Sequence, residues 1–168
     1  YIFYVTELIY ILRDIKIIAW TTLIFGVILY LADKCNFDKK ISANLNLKII
    51  LYIGLFQVLA LIPGVSRAGI TITAARIFKF NRFDSSKISF LLAIPALTGA
   101  SILGLKDVIK QSFEFNHLIF ISIVLSFLFS YFTIKFFLYY INTFSLKIFV
   151  LYRIIIAMIL FILIYKSN

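Results

Sequence analysis

Nine consecutive residues, Pro63-Gly64-Val65-Ser66-Arg67-Ala68-Gly69-Ile70-Thr71, gather the groups in this sequence that could handle an anion. Arg67 offers a planar guanidinium fork matched to two oxygens of one phosphate, and the hydroxyls of Ser66 and Thr71 can donate to further oxygens. Gly64 and Gly69 let the backbone take left-handed conformations and approach a ligand closely. A half-helix expected from Ile70 onward would point its first amides at the same place. The set reads as a pyrophosphate cradle, with Arg67, Ser66 and Thr71 as candidate catalytic residues and Gly64, Gly69 and the preceding Gln57 as candidate substrate contacts. A plainer reading competes: Pro-Gly makes a turn, the hydroxyls cap the next helix, and Arg67 snorkels to headgroups. Residue types and spacing alone leave both open.

What surrounds Arg67 narrows the choice. The 168 residues are 63% hydrophobic and 14% charged, with 19 Phe and 10 Tyr, well above the apolar share of about 45–50% in soluble domains. A bilayer offers no water to an exposed backbone, so helices are the expected elements. An arginine near the bilayer centre costs at least roughly 2.5–3.5 kcal/mol and therefore needs a cavity and a partner, most naturally an anion. The formal charge of +10 lies in short gaps between apolar runs. That distribution argues against nucleic acid and reads as topology signals and contacts with anionic membrane lipids. The single cysteine, Cys35, forms no intrachain disulfide and reads as incidental.

Apolar runs over 15–32, 88–105, 118–138 and 146–165 each approach the roughly 20 residues that cross a hydrocarbon core. They predict four spanning helices, the second kinked at Pro95. Ile49–Ile62 is apolar for only 14 residues before Pro63, and a short run, Ile70–Phe78, follows the cradle. Neither spans alone. Two half-length pieces broken by Pro and Gly predict a re-entrant hairpin over 49–78, whose irregular tip must line a cavity. With re-entry, ten Lys and Arg share one side, in the Asp33–Lys48 and Arg76–Lys87 stretches and around Lys135 and Lys147, against five at Arg13, Lys16, Lys106, Lys110 and Lys166. With full crossing the tally is eight against seven. The positive-inside tendency favours re-entry from the cytoplasmic side, with the C-terminus outside.

The segment from Pro63 to Thr71 resembles the Pro-Gly-x-Ser-Arg-Ser-Gly-x-Thr motif of the undecaprenyl-pyrophosphate phosphatases of the bacitracin-resistance type. The resemblance runs from Gly54 through Gln57, Leu59-Ala60-Leu61-Ile62 and the loop, past Arg82, to Ser89-Phe90-Leu91-Leu92-Ala93-Ile94-Pro95 and Gly99-Ala100, with a weaker echo at Tyr152-Arg153. It departs at Ala68, where the family usually has Ser, at Lys79, where Gly is common, and at Lys87, where an acidic residue is common. The resemblance implies an all-α, multi-pass membrane bundle built from two inverted repeats with re-entrant hairpins. It implies hydrolysis of undecaprenyl pyrophosphate to the monophosphate, which recycles the envelope lipid carrier for peptidoglycan synthesis. The active site would face outward from the bacterial inner membrane. It also implies a divalent cation, whose ligands this chain does not offer.

The family's first repeat carries Glu-x-x-x-Glu and Ser-Ser-x-Gly-His stretches that are absent here. Glu7 and Glu114 are the only glutamates, and neither has a carboxylate four residues away. The whole chain, 1–168, thus looks like one membrane domain equivalent to the second repeat. It opens on Tyr1 within an already hydrophobic stretch, so a larger protein is expected. Gln57 falls where the other repeat has an acidic residue. Arg153, seven residues into an apolar run, divides evenly between a structural pair and the substrate path. His117 reads as interfacial packing, and Asp33, Asp38, Asp84 and Asp107 as solvated surface pairs. Two other functions stay open: a lipid-phosphate transporter or flippase, and a non-catalytic remnant needing a partner chain that carries the missing N-terminal repeat. A homo-oligomer also stays open.

Overall fold

The computed structural model describes residues 13–35, 37–110 and 117–167. Glu7 and Glu114 lie outside them. The described chain is all-helical. Helix α1 covers Ile15–Lys34, a single turn α2 covers Ile41–Asn44, and α3 covers Leu47–Val58, continued by a 3-10 turn at Leu59–Leu61. Helix α4 covers Arg67–Ile77, α5 Arg82–Lys110, α6 His117–Thr143 and α7 Lys147–Ser167. Side chains start these helices where the sequence turns polar: Asp14 accepts the Lys16 amide at 2.8 Å, and Asn46 accepts the Ile49 amide at 2.9 Å. Pro95 lies within α5 without ending it.

Among the described residues four helices are long and apolar enough to cross a membrane: Ile15–Lys34, Arg82–Leu105, Ile119–Thr143 and Lys147–Lys166. Large hydrophobic side chains remain exposed along them, including Phe127, Phe129, Phe132 and Phe136 of α6. Water would penalise that surface, whereas lipid matches it. The protein is an all-α integral membrane protein.

Between α1 and α5 the chain folds into a hairpin. Twelve residues of α3 rise about 18 Å, short of a core about 30 Å thick. The Lys39 amide donates to the Lys79 carbonyl at 3.3 Å, and the Asn81 amide to the Lys39 carbonyl at 3.1 Å, so the two ends of the hairpin touch.

The returning arm, α4, is the most enclosed element. Every residue from Gly69 to Arg76 is buried, against α5, α1 and α3. Its small side chains, Gly69, Thr71, Thr73, Ala74 and Ala75, let three helices approach closely. On one side Ala74 and Ala75 join a cluster with Ile53, Phe80 and Ile88. On the other Ile72 packs with Leu29, Ile141, Leu146 and Val150.

One expectation is overturned at the base of the hairpin. Asp33 is no solvated surface charge: it is 3% exposed, because α1 continues through it and turns it under the α6–α7 connection. Its Oδ1 accepts Arg82 Nε at 2.6 Å, and its Oδ2 accepts the Leu146 amide at 3.1 Å. Arg76, 1% exposed, lies 4.0 Å from the same carboxylate and donates to the carbonyls of Phe80 and Cys35. This node ties α1, α4, α5 and α7 together where the hairpin begins and ends.

Candidate anion site at the hairpin tip

The turn that carries the site is moulded onto α1. Gly64 has φ +88°, which a side chain rarely tolerates. A Cβ there would lie 2.1 Å from Thr21 Oγ1 and 2.8 Å from the Ile18 carbonyl oxygen. Thr21 Oγ1 donates to the Pro63 carbonyl at 2.7 Å, and Thr22 Oγ1 to the Gly64 carbonyl at 3.4 Å. These two threonines support the loop and escaped the sequence reading. Their signal was a pair of hydroxyls midway along an otherwise apolar span.

Helix α4 begins three residues earlier than expected, at Arg67. Ser66 caps it: its Oγ accepts the Gly69 amide at 3.2 Å. Arg67 is therefore the first helical residue. Its side chain is exposed, and it makes no ion pair or side-chain hydrogen bond among the described residues.

Thr71 occupies a different place from the one expected. It is fully buried, and its hydroxyl shares a 2.6 Å hydrogen bond with Ser89 Oγ of α5. It also back-bonds to the carbonyls of Arg67 and Ala68 at 2.9 and 3.1 Å. The reason is helical register: starting the helix at Arg67 places Thr71 one turn in, facing α5. Thr71 thus braces the first turn of α4. Gln57, near the end of α3, is half-buried, with Oε1 enclosed and lacking a hydrogen-bond partner among the described residues. An enclosed acceptor without a donor is costly.

The structure brings Arg153 to the cradle. A Cβ on Gly69 would lie 2.7 Å from Arg153 Nη2, 2.8 Å from Nη1 and 3.0 Å from Cζ. The guanidinium therefore rests on the first turn of α4. The stem is held by a second glycine, since a Cβ on Gly26 of α1 would lie 3.5 Å from Arg153 Cβ and 3.8 Å from Cδ. Arg153 is 5% exposed, and its Nε has no hydrogen-bond partner among the described residues. The guanidinium also lies 5.9 Å from the centroid of the Tyr152 ring.

This is an unusual charge arrangement. A helix N-terminus carries about half a positive charge; here a buried guanidinium lies on its first turn, and the first helical residue is the exposed Arg67. The two ion pairs among the described residues, Arg76–Asp33 and Arg82–Asp33, lie at the other end of the hairpin. A phosphate at the tip could take the amides of α4 and both guanidinium groups. No group of three or more His, Cys, Asp or Glu able to hold a metal occurs among the described residues, so no step can be assigned through a metal here.

The chain is 78% identical over 154 residues to a protein of Pelagibacter ubique strain HTCC1062 named undecaprenyl-diphosphatase, covering 92% of this chain and 60% of that protein. It is 43% identical over 150 residues to the undecaprenyl-diphosphatase of Elusimicrobium minutum strain Pei191, covering 89% of this chain and 57% of the relative. The undecaprenyl-diphosphatase of Saccharophagus degradans is 40% identical over 155 residues, 92% of this chain and 58% of that protein. The chain thus spans about three fifths of the length of these curated relatives. The family described as bacitracin resistance protein BacA matches residues 2–159, and the chain belongs to that family.

Proposed function

We propose that this chain supplies the pyrophosphate-holding half of an enzyme that hydrolyses undecaprenyl pyrophosphate to the monophosphate and inorganic phosphate. The observation that carries the reading is the pair of guanidinium groups at the α4 N-terminus, Arg153 buried and Arg67 exposed, neither paired with a carboxylate among the described residues.

Arg67 grips two oxygens of the terminal phosphate in one plane. Arg153 neutralises the neighbouring charge from within the bundle, and the first amides of α4 donate to a third oxygen. As the bond to the leaving phosphate breaks, positioned donors offset the charge that builds on the oxygens. Ser66 sets the start of the helix and stands beside the ligand, while Thr71 holds the turn in register through Ser89. The half-buried Gln57 offers its unpaired oxygen to a donor brought by the substrate or by a facing repeat.

Hydrolysis also needs a base to activate water, and none of the described residues at the tip is placed to serve. We assign the base, and the ligands of any divalent cation, to a first repeat that this chain does not contain. The lipid carrier would be recycled at the outer face of the bacterial inner membrane, in service of peptidoglycan synthesis. The test is phosphate release from an isoprenyl pyrophosphate in detergent. The 168-residue chain alone should release none, and the same chain joined to a first repeat should release phosphate. Movement of intact lipid across vesicles without phosphate release would favour transport and refute the reading.

A further inference from the structure

We propose that the pocket at the base of the hairpin, remote from the tip, binds the phosphate-bearing headgroup of an anionic membrane phospholipid. It encloses about 830 Å³ among the α1–α2 connection, the first turns of α5 and the end of α6. Its walls carry four cations, Lys40, Arg76, Arg82 and Lys87, against two carboxylates, Asp38 and Asp84.

The bonding of these groups decides which remain for a ligand. Asp84 is occupied, because its Oδ2 accepts Asn81 Nδ2 at 2.9 Å and the Ile41 amide at 3.3 Å. Arg76 and Arg82 are committed to the Asp33 node. Lys40 and Lys87 are exposed and enter no ion pair among the described residues. The pocket therefore holds two uncommitted ammonium groups backed by two buried or half-buried guanidinium groups, with one exposed carboxylate, Asp38, in opposition. Ser42, Asn142 and Thr143 add neutral donors at the wall. A single phosphodiester charge, flanked by hydroxyls or glycerol oxygens, suits that inventory.

The apolar rim favours a lipid over a soluble phosphate. Phe37, Phe83 and Phe144 border the same pocket, and Phe144 is 54% exposed. The α6 face leading to it is apolar and open along its length. A basic floor opening onto lipid-facing helices is the arrangement that captures an anionic headgroup while its acyl chains stay in the bilayer. This inference is independent of what the hairpin tip does.

Purified chain in phosphatidylcholine nanodiscs containing graded phosphatidylglycerol provides the test, with retained phosphatidylglycerol counted by native mass spectrometry. The wild type should retain it saturably. Lys40→Gln with Lys87→Gln should weaken retention about thirtyfold, from roughly 1 kcal/mol per surface lysine. Lys40→Glu with Lys87→Glu, which adds repulsion, should weaken it further. Lys16→Glu with Lys166→Glu, the same change of charge at the opposite ends of α1 and α7, should retain lipid as the wild type does. Unchanged retention in the Lys40 and Lys87 variants, or equal loss in the Lys16 and Lys166 variant, overturns the proposal. Displacement of the lipid by excess inorganic phosphate would make the pocket a soluble-phosphate site and overturn the lipid assignment.

Discussion

Replacing Gly69 by Ala should separate anion binding from folding at this site. The added methyl would lie 2.7 Å from Arg153 Nη2 and 2.8 Å from Nη1, where an ordinary contact is about 3.5 Å. The guanidinium must therefore retreat by about 1 Å. It is the free end of a long side chain, so the fold can yield there cheaply. The retreat takes it away from the α4 amides, however, because the stem is held at Gly26. Losing one charge-assisted hydrogen bond costs roughly 1.5–3 kcal/mol, or about ten- to 150-fold in Kd. Isothermal titration of a short-chain isoprenyl pyrophosphate into detergent-solubilised protein measures it, with a thermal melt alongside. Gly64→Ala is the contrasting variant: its methyl meets Thr21 at 2.1 Å at a φ of +88°, so that variant should lose thermal stability itself. Wild-type affinity in Gly69→Ala would refute the assignment of Arg153 to the anion.

Arg67→Lys in a full-length protein carrying this half should impair turnover nearly as much as Arg67→Ala, because the ammonium lacks the planar fork; near wild-type phosphate release from the lysine variant would instead mark Arg67 as a snorkelling residue. Asp33→Ala should destabilise the protein by about 3 kcal/mol, since it leaves Arg76 buried without its carboxylate, and a melt unchanged from wild type would show that the carbonyls of Phe80 and Cys35 suffice. Lys79, at φ +72°, is a non-glycine residue in the left-handed region, so Lys79→Gly should raise stability by roughly 1 kcal/mol; a lower melting temperature would show that its side chain outweighs the strain.

Composition and run length were enough to read a helical membrane protein, because lipid imposes one strong constraint on the backbone. Pro63-Gly64 between two short apolar runs marked the hairpin, and the contact of Lys39 with Lys79 and Asn81 is its geometric counterpart. Register within the site was less legible. Ser66 and Thr71 have similar hydroxyls five residues apart, and only the start of α4 at Arg67 decides that one caps the helix while the other faces Ser89. Arg153 was visible as a charge in an apolar run, but its destination depended on Gly26 and Gly69 meeting across three helices. Asp33 was misjudged for the same reason: its partners Arg82 and Leu146 are 49 and 113 residues away, beyond any local pattern.

The enclosure of α4 constrains how the protein can be made. Its eleven residues include two threonines and Arg76, a poor candidate for partitioning into lipid unaided. The surfaces it covers belong to α1 and α3, already synthesised, and to α5, which emerges from the ribosome after it. The arm must therefore wait at the translocon or the membrane surface until α5 has inserted, and only then slot between its neighbours. Substitutions that slow α5 entry, or enlarge the small residues of α4, would leave the arm stranded at the membrane surface. Such variants would be cleared by membrane proteases during biogenesis, with loss of protein abundance preceding any defect in chemistry.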